Sequence, residues 1–351
     1  MFSGSASLSL LSIVSLTSFF SVLLISKISN KIKNGVLLDT DFNKPQAFHS
    51  EAVARCGGLA GIISLIIFFI SNYLLFNQIY LDYLFLSFAI FLLGFLEDLN
   101  FKIRPNNRLI LMIIILLFFI IFFSVGIYGV DLIFLKLWMG NKIFATIFVL
   151  LCFLFVINGA NLIDGFNGLL IIHLLIINII ILFINLNRGN FDFSMLVAGQ
   201  IIVLFPLLIF NFPKAQIFLG DSGSYLFGSL SAFNVIVSNN LNPGISSFFF
   251  CIILFYLFFE VFFSFFRKIL QKKSPFLPDE NHLHMLVFGK LKSYFKNSNP
   301  MTALFINTAY LSLVLPALFN LENTLFCRYW FFSIIIFYVS FYYFLYKFKK
   351  N

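Results

Sequence analysis

Charge is what this sequence has least of. Only 11% of its 351 residues are Asp, Glu, Lys or Arg, against about 25% in a typical soluble domain. Cysteine is also scarce. Cys56, Cys152, Cys251 and Cys327 stand apart, in or beside apolar runs. That spacing supplies neither a disulfide framework nor a metal site, and the four read as small apolar packing groups. There is no internal repeat, no low-complexity linker and no polar stretch long enough for a separate soluble domain. The first residues lack a basic n-region, so they are expected to form a retained helix rather than a cleaved signal peptide.

What is present is apolar. Hydrophobic residues make up 61% of the chain, and no soluble fold hides that much apolar surface, so the expected solvent is lipid. The 54 Phe residues, with heavy Ile, Leu and Asn usage, partly reflect AT-rich coding. A membrane-crossing helix needs about 20 apolar residues. Candidate spans fall at 8–27, 57–76, 80–96, 109–127, 142–160, 168–186, 194–211, 222–238, 246–266, 301–320 and 329–346. The expected fold is all-α: a polytopic integral membrane protein of about 11 transmembrane helices, with 1–351 forming one transmembrane domain.

Placing the N-terminus outside and the C-terminus in the cytoplasm makes 27–56, 97–108, 160–168, 212–221, 267–300 and 347–351 inside segments. They hold 19 of the 23 Lys and Arg residues; Lys136, Lys142, Arg188 and Arg328 remain outside. Basic loops are retained on the cytoplasmic side, so the net charge of +9 points to topology rather than to nucleic acid. Asp82, Asp131, Asp192 and Glu322 fall singly outside. The other ten acidic residues lie on or near the inside face, which neither the apolar runs nor the basic residues required.

Five inside segments carry chemistry. Glu97 and Asp98 leave a span together, where a divalent cation relieves their repulsion. In VINGANLIDGFNGL, Asn158, Asn161, Asp164 and Asn167 recur every three residues, giving a polar face on a helical turn; an Asp at that depth is costly and points to function. In NFPKAQIFLGDSGS, headed by Asn211, Asp221 stands among small residues at a helix start, a natural metal–phosphate position. SPFLPDENHLHM places His282 and His284 beside Asp279 and Glu280 in a Pro-bounded loop. DTDFNKPQAFHSEAVARCGG supplies Asp39, Lys44, His49 and Arg55. Carboxylates, His, Lys and Arg gathered at one membrane face suit a Mg²⁺-assisted reaction between phosphorylated species.

Over residues 36–290 these segments resemble the polyprenyl-phosphate N-acetylhexosamine-1-phosphate transferases, the family of WecA and MraY. NGANLIDGFNGL is similar to that family's Asn-x-x-Asn-x-x-Asp-Gly-x-x-Gly-Leu motif, and FNFPKAQIFLGDSGS to its Pro-Ala-Lys-x-Phe-Met-Gly-Asp-x-Gly-Ser motif. EDLNF occupies the place of its acidic pair. Glu97 and Glu260 stand where Asp is commoner, Asn167 replaces a frequent Asp, Met285 the last His of a cluster, and Ala54 a Pro. These departures favour the WecA branch over the strict MraY pattern.

The resemblance implies transfer of a sugar 1-phosphate from a UDP-N-acetylhexosamine to undecaprenyl or another polyprenyl phosphate, releasing UMP at the cytoplasmic face of a bacterial inner membrane. The product would initiate a cell-envelope glycan such as O-antigen or capsule. Mg²⁺ is the implied cofactor, with Mn²⁺ a substitute. Glu97, Asp98, Asp164, Asp221 and His282 take catalytic roles, Asp98 and Asp221 as metal ligands. Asp39, Lys44, His49, Arg55, Asn158, Asn161, Asn167, Asn211 and His284 take substrate-binding roles. Relatives are commonly homodimers, which this sequence does not mark. A MraY-type phospho-MurNAc-pentapeptide transferase is the alternative within the family. A transporter or lipid flippase is the alternative of another class, although such proteins set polar groups near the bilayer midplane.

Overall fold

The computed structural model describes residues 4–29, 37–39, 52–101, 103–274 and 279–350. They form thirteen helices: α1 (Gly4–Ser29), α2 (Gly57–Phe76), α3 (Leu81–Asp98), α4 (Pro105–Phe122), α5 (Ile133–Met139), α6 (Lys142–Ile163), α7 (Leu169–Asn187), α8 (Phe191–Asn211), α9 (Gly220–Leu241), α10 (Ser247–Leu270), α11 (Leu283–Leu291), α12 (Ser298–Leu318) and α13 (Thr324–Lys350). Lipid cannot hydrogen-bond a peptide group, so helices that satisfy their own backbone are what long apolar runs become. Among the described residues, nine helices are long and apolar enough to cross a membrane: α1, α2, α4, α6, α7, α8, α10, α12 and α13. Large apolar side chains such as Leu8, Ile70, Leu74, Ile114, Ile121 and Ile336 stay exposed around the perimeter, as a lipid-facing surface requires.

The two other long helices, α3 and α9, form the centre. They pack along one another, and α9 also meets α2, α6 and α7. Nearly every residue of α9 from Ser222 to Ile236 is buried. A helix surrounded by protein can be polar if its side chains find partners. Here Asn178 donates to Ser231 Oγ at 2.9 Å, and Asn234 donates to Asn178 Oδ1 at 2.8 Å and Gln200 Oε1 at 2.7 Å. Tyr83 Oη donates to Asn234 Oδ1 at 3.0 Å. Hydropathy therefore marks the region only as a short span, 222–238, whereas its helix runs 22 residues. The fourth run also shifts, to 105–122 from 109–127, because Pro105 fits the first turn of a helix.

One feature departs from the all-α expectation: three small strands form one sheet, β1 (Leu38–Asp39), β2 (Val53–Arg55) and β3 (Ile217–Phe218). Helices α5 and α11 are short. β2 lies between an antiparallel β1 and a parallel β3, with Ala54 opposite Ile217 and Arg55 opposite Phe218. The peptide N–H of Gly58 donates to Leu219 O at 2.9 Å and continues the seam into α2. These ties hold the segment before α2 against the start of α9.

Helix ends gather into two groups. One joins the ends of α3 and α6 to the starts of α2, α4 and α9, described below. In the other, Arg188 pairs with Glu322, Ser246 Oγ donates to Asp131 Oδ2 at 2.5 Å, and Tyr128 N–H donates to Asn240 Oδ1 at 2.9 Å.

Candidate active site

The site begins at the junction of α3 and α9. The first amides of a helix have no partner within it. Asp98, the last residue of α3, supplies one: Asp221 N–H donates to its Oδ1 at 2.9 Å and Ser222 N–H to its Oδ2 at 3.0 Å. Ser222 Oγ donates to Oδ2 as well. The helix dipole favours this carboxylate further. The approach leaves no room for side chains. Gly220 has φ +72°, and a Cβ there would meet both Asp98 oxygens at 2.7 Å; a Cβ on Gly94 would meet Asp221 O at 2.5 Å.

Asp98 thus fixes the position of Asp221. With 2% exposure, it has both oxygens engaged by the start of α9. Asp221 is the accessible carboxylate, its side chain 32% exposed. Asn161 Nδ2 donates to Asp221 Oδ1 at 2.7 Å and to Ser224 Oγ at 3.1 Å. Arg108, in the first turn of α4, stands 3.9 Å from Asp221 Oδ2 and donates to Glu97 Oε2 at 2.5 Å. Glu97 Oε1 is buried and accepts nothing.

Two further groups face this cluster. Asp164 caps the end of α6; burial, then the Asp221 and Asp98 carboxylates, hold its acid well above the usual carboxylate range, while Arg55 pulls the other way. Arg55, on β2, donates through Nε and Nη2 to Asp39 Oδ2 at 3.0 and 2.5 Å. It also feels the charges of Asp221 and Asp98. Asp39 therefore orients Arg55.

Other expected residues have different surroundings. Asn158 donates to Leu154 O of its own helix at 2.7 Å. Asn211 Oδ1 accepts from Gly168 N–H at 2.6 Å, and Asn167 Nδ2 donates to Pro213 O at 3.0 Å. These two join the loop after α6 to the loop after α8. His282 and His284, the expected catalytic and substrate-binding histidines, are buried beside α10. His282 Nδ1 lies 3.0 Å from Glu260 Oε1, which also accepts from Leu283 N–H, and Tyr338 Oη donates to Glu260 Oε2. His284 Nδ1 lies 3.2 Å from Tyr256 Oη, and its ring packs edge-on against Phe166 at 5.8 Å. His284 thus packs against the loop that follows Asp164, and the His282 ring stacks on His284 at 5.6 Å. Lys44 and His49 lie outside the described residues.

The sequence reading passed over Arg108, Ser222 and Ser224. A basic residue in an inside loop looks like a topology signal, and only the fold brings Arg108 to two carboxylates. Among the described residues, no three His, Cys, Asp or Glu side chains form a metal cage. An oxygen-only pair, Asp221 Oδ2 and the unpartnered Glu97 Oε1, nevertheless suits Mg²⁺, which is commonly held by one or two carboxylates with substrate phosphates and waters completing its shell.

The site lies within a stretch that resembles known proteins. The model of glycosyl transferase family 4 matches residues 80–239, which contain Glu97, Asp98, Arg108, Asn161, Asp164 and Asp221. An undecaprenyl-phosphate alpha-N-acetylglucosaminyl 1-phosphate transferase of Thermotoga maritima is 30% identical over 246 residues, 69% of this chain and 70% of its own. Phospho-N-acetylmuramoyl-pentapeptide-transferases match shorter stretches. That of Leuconostoc mesenteroides is 40% identical over 80 residues, 23% of this chain and 25% of its own. That of Helicobacter pylori is 35% identical over 117 residues, 28% and 32% of the two chains. With the acidic junction of α3 and α9 inside the matched region, this chain belongs to glycosyl transferase family 4, the membrane enzymes that include the WecA- and MraY-like sugar-phosphate transferases.

Proposed function

We propose that this chain transfers N-acetylglucosamine 1-phosphate, or a close N-acetylhexosamine analogue, from its UDP derivative to a polyprenyl phosphate. The observation that carries the reading is the Asp221–Arg108–Glu97 cluster, with one partly exposed carboxylate and one unpartnered buried carboxylate oxygen. The broad coverage of the Thermotoga relative supports the N-acetylglucosaminyl donor over the MurNAc-pentapeptide donor.

An oxygen of the lipid phosphate attacks the sugar-linked phosphorus of the donor. The bond from that phosphorus to the bridging oxygen breaks, and UMP leaves with the oxygen. A phosphate monoester is largely dianionic at neutral pH, its second pKa being about 6, so the step needs no strong base. The larger problem is that two anions must meet. Asp221 and Glu97 would hold Mg²⁺, which neutralises phosphate charge when bound. Arg108 and Arg55 place positive charge beside the same oxygens. Asn161 keeps Asp221 in one rotamer, and Asp98 keeps the start of α9 in place.

We place eleven spans, α3 and α9 among them, in a bacterial inner membrane, with the N-terminus outside and the site at the cytoplasmic face. The product would start a lipid-linked envelope glycan such as O-antigen or capsule. Purified protein given undecaprenyl phosphate and Mg²⁺ is expected to release UMP from UDP-GlcNAc faster than from UDP-MurNAc-pentapeptide. The reverse order would make it a MraY-type enzyme.

A further inference from the structure

Tyr225 lies four residues after Asp221 on α9, so the two share a helix face one turn apart. Its side chain is 0% exposed, and its hydroxyl has no hydrogen-bond partner. Buried phenols normally find one, and a buried polar group left alone needs a reason. Its surroundings are charged: Asp221, Arg108, Glu97 and Asp98 all lie within electrostatic reach. Glu97 Oε1 is likewise buried and unpartnered. Two unsatisfied groups therefore lie within electrostatic reach of Arg108: the phenol, a donor that an anionic oxygen would satisfy, and the carboxylate oxygen, an acceptor that a cation would satisfy. At 1.5 Å rise per residue, Tyr225 stands about 6 Å further along α9 than Asp221, toward the membrane interior in the proposed orientation.

We infer that the Tyr225 hydroxyl donates a hydrogen bond to a phosphoryl oxygen of the reacting groups, on the membrane side of the Arg108–Asp221 pair. The inference rests on the phosphotransfer reading above. The oxygen belongs either to the lipid phosphate, whose chain enters from the bilayer, or to the nucleotide diphosphate.

Tyr225→Phe keeps the ring and removes only the hydroxyl. Hydrogen bonds to charged groups are among the stronger ones, so kcat/KM for UMP release is expected to fall about 10- to 100-fold. The melting temperature of the unliganded protein is expected to stay level or rise, since an unsatisfied buried group is gone. A raised KM for undecaprenyl phosphate alone assigns the oxygen to the lipid. A raised KM for the UDP-sugar alone, with a smaller UDP-induced melting shift, assigns it to the nucleotide. A fall in kcat alone assigns it to the transition state. Wild-type kinetics in Tyr225→Phe, beside an active wild-type enzyme, would overturn this inference and leave the transferase reading standing. So would a loss of activity explained by a lower melting temperature. If the wild type releases no UMP from any UDP-N-acetylhexosamine, the transferase reading fails first and takes this inference with it.

Discussion

Burial decides what His284 can do. Enclosed by protein, its imidazolium is pushed down to about 3 from an ordinary 6.5, with Glu260 opposing and His282 reinforcing the shift. The unfolded chain therefore takes up a proton that the folded chain refuses. Stability from this group is complete above about 6.5 and is lost as pH falls toward 3, by at most about 1.4 kcal/mol per pH unit. Melting temperatures are expected to drop over that window, and less steeply in His284→Gln. Equal slopes in the two proteins would show that His284 is not buried as a neutral ring. At this scale the sequence revealed Asp221, Asn161 and Glu97, because acidic and amide groups beside long apolar runs are costly and stand out. The burial of His282 and His284 beside Glu260 and Tyr256 of α10 was not legible, because it depends on contacts across 22 and 28 residues. Arg108 was hidden among the basic residues that set topology.

At the scale of elements, the site depends on how α9 begins. Asp98→Ala would leave the amides of Asp221 and Ser222 unpartnered at a buried helix start, at about 1–3 kcal/mol each. Thermal unfolding in detergent is expected to show a clear fall in melting temperature together with lost activity, whereas Asp221→Asn should melt near the wild type. Lost activity in Asp98→Ala with an unchanged melting temperature would return Asp98 to the metal. The apolar runs made most helices legible, since lipid leaves a long apolar segment few alternatives. α9 was only partly legible: its Ser and Asn residues lower its hydropathy, and they are tolerated because α2, α3, α6 and α7 surround it. The sheet of β1, β2 and β3 could not be read at all. Strands of two or three residues carry no periodicity, and their pairing depends on contacts far apart in sequence.

Across the whole molecule, the described helix ends fall into two groups. The Asp98–Asp221 junction and the Arg55–Asp39 pair share one, while Arg188, Glu322 and Asp131 share the other. Reporter fusions are expected to place the C-terminus in the cytoplasm and the N-terminus outside. Both termini on one side would remove a span and undo the proposed orientation. Asp221, held by Asn161 and Asp98 and paired with Glu97 through Arg108, is the proposed seat of phosphoryl transfer. Its most direct test is UMP release from UDP-GlcNAc and undecaprenyl phosphate by purified wild-type and Asp221→Asn protein, with Mg²⁺ and with chelator. Mg²⁺-dependent release is expected from the wild type, with at least a ~100-fold loss in the folded variant. Near-normal turnover by Asp221→Asn, or wild-type turnover indifferent to chelation, would contradict it.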